Sequence, residues 1–246
     1  MLVAYVWIAL LFVVGPVLAN RLDDRGLPGD RIVLSLIALT TCFVGYAVYT
    51  SQPRQRRARA VARLATSVRA PFQRQFRAPS TMYQLPFLAL VSVDNRQILG
   101  GFEGAFNHLR IAVFSRSQAP DDYEPTTWRS CAATPRTFDA PFLRIEPRGI
   151  GVDLEGGRLE ELSFESETFN TSWRVRTSDR RFAEAFIDQR MMAWLEERRT
   201  HVAFEIGGGW VMAETTDDAD RALLDTLEGF TEHIPRVIGS LYPASP

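Results

Sequence analysis

The chain contains no lysine: all 28 of its basic residues are arginine. No lysine amine is therefore present to act as a nucleophile, to form a Schiff base or to serve as the cation of a phosphate loop. Cysteine is nearly as scarce. Cys42 lies in an apolar run, Cys131 stands far along the chain, and neither has a partner at C-x-x-C spacing. That argues against a disulfide framework or a thiolate metal site and suits a reducing compartment. The three histidines, His108, His201 and His233, have no second histidine, cysteine or acid at the spacing of a helical metal motif such as H-E-x-x-H. No G-x-S-x-G, G-x-G-x-x-G or Walker-type element occurs. The "GGG" at 207–209 is followed by a strand-like run, not by a helix N-terminus, so it reads as a hairpin turn. On these absences no catalytic residue, cofactor or metal ligand is assigned, and the chain reads as non-enzymatic.

Long apolar runs, by contrast, are present. "LVAYVWIALLFVVGPVLA" (2–19) and "IVLSLIALTTCFVGYAVYT" (32–50) carry no charge. At ~1.5 Å of rise per residue, each is just long enough for a hydrocarbon core ~30 Å thick. The polar stretch "NRLDDRGLPGDR" between them reads as the turn of a transmembrane helical hairpin. The first run ends in "VLA" like a cleaved signal peptide, but nothing charged precedes Arg21, so a retained span is predicted.

The net charge of −1 conceals an asymmetry. Residues 1–79 hold eleven arginines against three aspartates, a net of +8, whereas 80–246 hold seventeen arginines against twenty-six acids, a net of −9. After the second run, arginines continue from Arg54 to Arg77, and no acid appears until Asp94. The positive-inside rule then places residue 51 onward, and the N-terminus, on the cytoplasmic side of the cell membrane. Three regions are expected: a two-span hairpin (1–50), a basic juxtamembrane segment (51–79) and an acidic cytoplasmic domain (80–246).

In the basic segment Val61, Leu64, Ala65, Val68 and Phe72 recur at helical spacing. One reading is an amphipathic helix over 54–70 lying on the inner leaflet, with Arg54, Arg56, Arg57, Arg59, Arg63 and Arg69 at the lipid surface. Each such arginine contributes ~1 kcal/mol near an anionic membrane. The other reading is a topology signal alone. Nucleic-acid binding is not expected, since Phe72 and Phe76 are the only aromatics among these arginines and the domain behind them is acidic.

The remaining pattern predicts an α+β fold. Strand-like runs occupy 85–94, 99–117, 126–134 and 142–154, separated by Gly and Pro. A helix is predicted over 180–198, capped by Ser178 or Asp179, with Phe182, Phe186, Ile187, Met191, Trp194 and Leu195 on one face. A hairpin follows over 201–214. A second helix carries the stripe Ala219, Leu223, Leu227, Phe230, Ile234 and Ile238, with Asp217, Asp218 and Asp220 at its positive end. Two helices on an antiparallel sheet are the expected arrangement.

One polar stretch, "ESETFNTSWRV" (165–175), stands out. Were 162–167 a strand, Glu165 and Glu167 would share a face, and with Asn170 they could hold a cation or a small ligand. The alternative is a structural joint. Asn170, Thr171 and Ser172 then supply turn chemistry, Phe169 is core, and Trp173 and Val175 begin a strand leading to the helix at 180.

"LSFESETFNTSWRVRTSDRRFAEAFIDQRMMAWLEE", together with "HVAFEIGGGWVMAE" and "EHIPRVI", resembles the C-terminal motif of membrane-anchored actinobacterial proteins of unknown function, which are similar to a broader bacterial domain family, also of unknown function. The resemblance spans roughly 98–239. It implies an anchored architecture and this fold, and no activity. The expected function is a membrane-tethered interaction or scaffold domain with a protein partner at the bilayer, or an accessory subunit of a larger membrane complex. Homo-oligomerisation stays open.

Overall fold

The structure is a computed structural model that describes residues 40, 54–79, 82, 98–118, 127–149, 159–198 and 201–243. The spans expected at 2–19 and 32–50 and the strand expected at 85–94 lie outside these residues. Among the described residues no helix is long and apolar enough to cross a membrane. The chain divides into two compact units, 1–55 and 56–246, and the second holds all the strands described below.

The described strands form one antiparallel sheet of eight: β1 (Ile98–Phe106), β2 (Leu109–Gln118), β3 (Thr127–Pro135), β4 (Leu143–Pro147), β5 (Glu160–Leu162), β6 (Trp173–Thr177), β7 (Val202–Gly207) and β8 (Trp210–Thr215). Their spatial order is β1-β2-β3-β8-β7-β4-β6-β5. The β7–β8 hairpin, turned by Gly208 and Gly209 at positive φ, thus inserts between β3 and β4 and joins the two halves of the sheet.

Residues paired directly across antiparallel strands point to the same face. On one face Val113, Ala132, Ala213, Phe204, Ile145 and Val175 build the main core. Helices cover that face because their apolar stripes need it. The helix predicted over 180–198 is in fact two, α3 (Arg180–Phe186) and α4 (Gln189–Arg198). Asp188 breaks the run and caps α4 by accepting from the Met191 amide at 2.8 Å. Asp179 caps α3 in the same way. The last predicted helix is likewise divided, into α5 (Arg221–Glu232), capped by Asp220, and α6 (Val237–Leu241). Pro235 separates them, having no amide hydrogen to continue the ladder. Phe230 of α5 stacks on Phe204 of β7 with centroids 4.0 Å apart, and Trp194 of α4 packs against both rings.

The helix α1 (54–67) corrects an expectation. Val61, Leu64 and Ala65 are buried in the main core, with Val68 and Phe72 packed beside them. The apolar stripe that suggested a lipid-facing helix has a protein partner instead. The segment after α1 then wraps around the β1 edge. Gln73 exchanges two backbone hydrogen bonds with Gly101, Phe72 packs on the main core, and Phe76 reaches the smaller cluster on the opposite face. A Cβ at Gly101 would lie 2.6 Å from the Phe76 ring, so the glycine here serves close approach. This wrap covers an edge that would otherwise present unpaired backbone groups. Residues 56–79 are accordingly part of the folded domain, and the boundary expected at 79/80 does not appear as a division of the fold.

Candidate functional site

The second face of the sheet carries charge where strand alternation alone suggests solvent. Arg116 and Arg129 (β2, β3), Glu214 (β8), Glu205 (β7), Arg144 and Glu146 (β4) and Arg176 (β6) share this face, and none is more than 8% exposed. Arg144 is the central node, donating to Glu146 at 2.7 Å and to Glu205 across the β4–β7 pair. Arg176 also donates to Glu146. Toward β2 the seam continues through Glu214, which is 2.8 Å from Arg116 and 3.3 Å from Arg129. Phe76, Met82, Phe114 and Cys131 lie on the same side.

Electrostatics here holds charge in place. Burial works against the Arg144 cation, but Glu205, Glu214 and Glu146 outweigh it and raise its pKa, so the guanidinium stays charged. Burial pushes Glu205 up to about 7, assisted by Glu214 and opposed by Arg144 and Arg116. Its Oε2 is buried with no hydrogen-bond partner among the described residues, which agrees with that direction. Burial likewise pushes the Cys131 thiol up to about 12, so it is not a reactive thiolate. The ion pairs of the seam link β2 and β3 to β8, and β4 to β6 and β7.

A second feature is the attachment of α1. Arg56 pairs with Asp218 at 2.7 Å. Arg57, half-buried, donates to Ser130 Oγ at 3.3 Å, to the Asp217 carbonyl at 2.9 Å and to the Thr216 carbonyl. These two arginines, expected at the lipid surface, instead tie α1 to the loop after β8. The aspartates read as helix-end charges are the other half of this tie, and the true cap is Asp220. Arg54, Arg59, Arg63 and Arg69 remain exposed. Arg59 and Arg63, four apart, lie on the side of α1 away from Val61 and Ala65.

The stretch 165–175 resolves as the joint. β5 ends at Leu162, Ser166 caps a short helix α2 (Glu167–Ser172), and Trp173 opens β6. Glu165 and Glu167 therefore share no strand face, and both are exposed. Asn170 is occupied locally: Nδ2 donates to the Phe164 carbonyl at 2.6 Å and Oδ1 accepts from the Phe164 amide at 2.8 Å. Phe169 is fully buried, edge-on to Phe164 at 5.6 Å, and Trp173 is buried beneath the helices. Ser166 Oγ also donates to Glu196 of α4 at 3.0 Å, so the joint positions that helix. The ligand reading for Glu165, Glu167 and Asn170 is not supported by this geometry.

Of the histidines, His201 is exposed at the start of the hairpin. His233 is half-buried, stacked on Trp194 and bonded to the Gly229 carbonyl. His108 sits in the tight β1–β2 turn beside α5, not within a strand. The seam is not apparent from the sequence, although its signal is present there. "FLRIEP", "WRVRT" and "HVAFEI" alternate apolar with charged or small residues. Alternation reports two faces without saying whether the polar one is wet.

By class, the described domain is α+β: an eight-stranded antiparallel sheet with helices on one face and a buried ion-pair seam on the other. It is similar in fold to the crystal structure of the mycobacterial trehalose monomycolate transport factor A. The TM-score is 0.56 at 14% identity, over 77% of this chain and 97% of that one. No family model and no curated protein matches the chain. The resemblance to actinobacterial proteins of unclear function thus finds support at the level of fold, in a mycobacterial neighbour.

Proposed function

We propose that the chain is a membrane-tethered accessory factor, whose α+β domain docks a protein partner on the cytoplasmic side and performs no catalysis itself. The observation that carries this reading is the attachment of α1. The helix begins within four residues of the second apolar run and is held to the sheet by Arg56, Arg57 and a buried stripe. Residues 56–79, which follow the predicted anchor in sequence, are part of the second folded unit, and the exposed Arg59 and Arg63 suit an anionic inner leaflet. The fold neighbour is a transport factor, which favours the accessory-subunit form of the proposal over a free-standing scaffold. The partner is then an integral membrane protein, with the apolar hairpin packed against its spans and Gly15, Gly45 and Ala47 offering positions of close approach.

The test is recovery of tagged full-length protein from membranes in several mild detergents, after photocrosslinking within the bilayer region. A discrete, reproducible membrane-protein partner is expected. Recovery of the protein alone in every detergent would contradict the proposal.

A further inference from the structure

The structure assigns a divalent transition-metal site, of the zinc type, to His108, Glu228 and Glu232, where the β1–β2 turn meets α5. The site does not depend on the tethering proposal. One ligand atom from each of the three side chains lies within 4.8 Å of the others. Glu228 and Glu232 stand four apart on α5, so both carboxylates project on one side of the helix. His108 comes from a different element, and its Nδ1 is 3.4 Å from Glu228 Oε1. Asn107, at φ 50, completes the turn and donates from Nδ2 to both Glu228 oxygens at 2.8 Å, orienting that carboxylate.

The charge pattern points to a cation. Two exposed helical carboxylates of the domain have an arginine one turn earlier: Glu184 has Arg180 at 2.8 Å and Asp225 has Arg221 at 3.8 Å. Glu232 instead has Glu228 one turn earlier, and like charges at this spacing repel. Among the described residues no arginine bridges the two. A metal ion neutralises the pair and takes the imidazole as its third ligand.

The donor set selects the metal. One imidazole nitrogen and two carboxylates suit zinc and its neighbours, whereas magnesium and calcium take oxygen. Zinc stands ~2.0–2.2 Å from such ligands, so the donors of a tetrahedral site lie about 3.3–3.6 Å apart. Small rotations of these surface side chains close the remaining gap. Three protein ligands leave one tetrahedral position open, for water or for a side chain of a docked partner. Bound metal would staple the tip of the β1–β2 hairpin to α5, joining an edge of the sheet to the helical layer.

The experiment is titration of the metal-stripped full-length protein in detergent with zinc chloride, by calorimetry and by thermal unfolding. Saturable binding of one zinc per chain and a raised unfolding temperature are expected. His108→Ala and Glu232→Gln should fold normally, since both residues are exposed, and should each weaken binding by about tenfold or more. His201→Ala should bind as the wild type does, and magnesium should produce no shift. The assignment is overturned if the wild type shows no saturable binding, if His108→Ala binds zinc equally well, if loss of His201 weakens binding as much, or if magnesium reproduces the shift.

Discussion

An Arg144→Met variant is expected to lose about 3–5 kcal/mol of stability, the range for removing one partner from a buried ion pair. Arg144 is 1% exposed and serves two carboxylates, so its loss takes a donor from both Glu146 and Glu205. Arg176 still reaches Glu146. Among the described residues Glu205 has no second hydrogen-bond donor, so it bears most of the damage. A paired change, Arg144→Met with Glu205→Leu, removes the stranded charge together with its partner and should recover much of the loss, because apolar replacement of a whole buried pair is often neutral.

The loss should also depend on pH in a defined sense. Burial raises Glu205 in the folded protein to about 7, above its value of about 4.3 in an unfolded chain. A raised carboxyl contributes stability that is fully present below the unfolded value and is lost as pH rises through the folded one. Arg144 is the first of the groups that oppose the rise, so its removal drives the pKa further up and makes the alkaline side worse. Chemical unfolding at about pH 5.5 and about pH 8 should show the variant more damaged at the higher pH. Equal losses at both, or a loss below about 1 kcal/mol, would mean that the seam is solvated in solution.

The second large effect is at the joint. Phe169→Ala is expected to cost about 3–5 kcal/mol, the range for truncating a fully buried phenylalanine. The ring fills the space between Phe164 and the core, and its amide is held by the Ser166 cap, so a small residue leaves a cavity that the short helix cannot collapse into. Asn170→Ala should cost less, because it removes two hydrogen bonds to Phe164 without opening a cavity in the core. A near-neutral melt for Phe169→Ala would make 165–175 a candidate site again.

These two regions differ in how legible they are in the sequence. The joint is largely readable, because its signals are local: Asp179 before an apolar stripe, Trp173 and Val175 alternating with arginines, and short polar side chains between Phe169 and Trp173. What local pattern does not supply is a six-residue helix in place of a turn, since Ser166 caps it only in that conformation. The seam and α1 escape a sequence reading for one shared reason. A period of two or of 3.6 separates an apolar side from a polar side, but it does not identify what lies against either. The apolar side of α1 suits lipid or core equally, and only tertiary contact shows Val61 and Leu64 in the core. Arg144 and Glu205 look like surface residues until strand order brings them side by side across 61 residues of sequence separation. The same holds for His108 and Glu228, whose proximity no spacing rule reports.

The central claim, a cytoplasmic domain tethered to the membrane, is tested most directly by cysteine accessibility in intact cells. The native background is quiet by expectation at Cys42, inside an apolar run, and by burial at Cys131. Single substitutions Asp24→Cys, in the loop between the runs, and Ser240→Cys, exposed on α6, report the two sides. A membrane-impermeant maleimide should label the first in intact cells and the second only after permeabilisation. Labelling of the Ser240→Cys protein in intact cells, or protection of the Asp24→Cys protein there, would contradict the account.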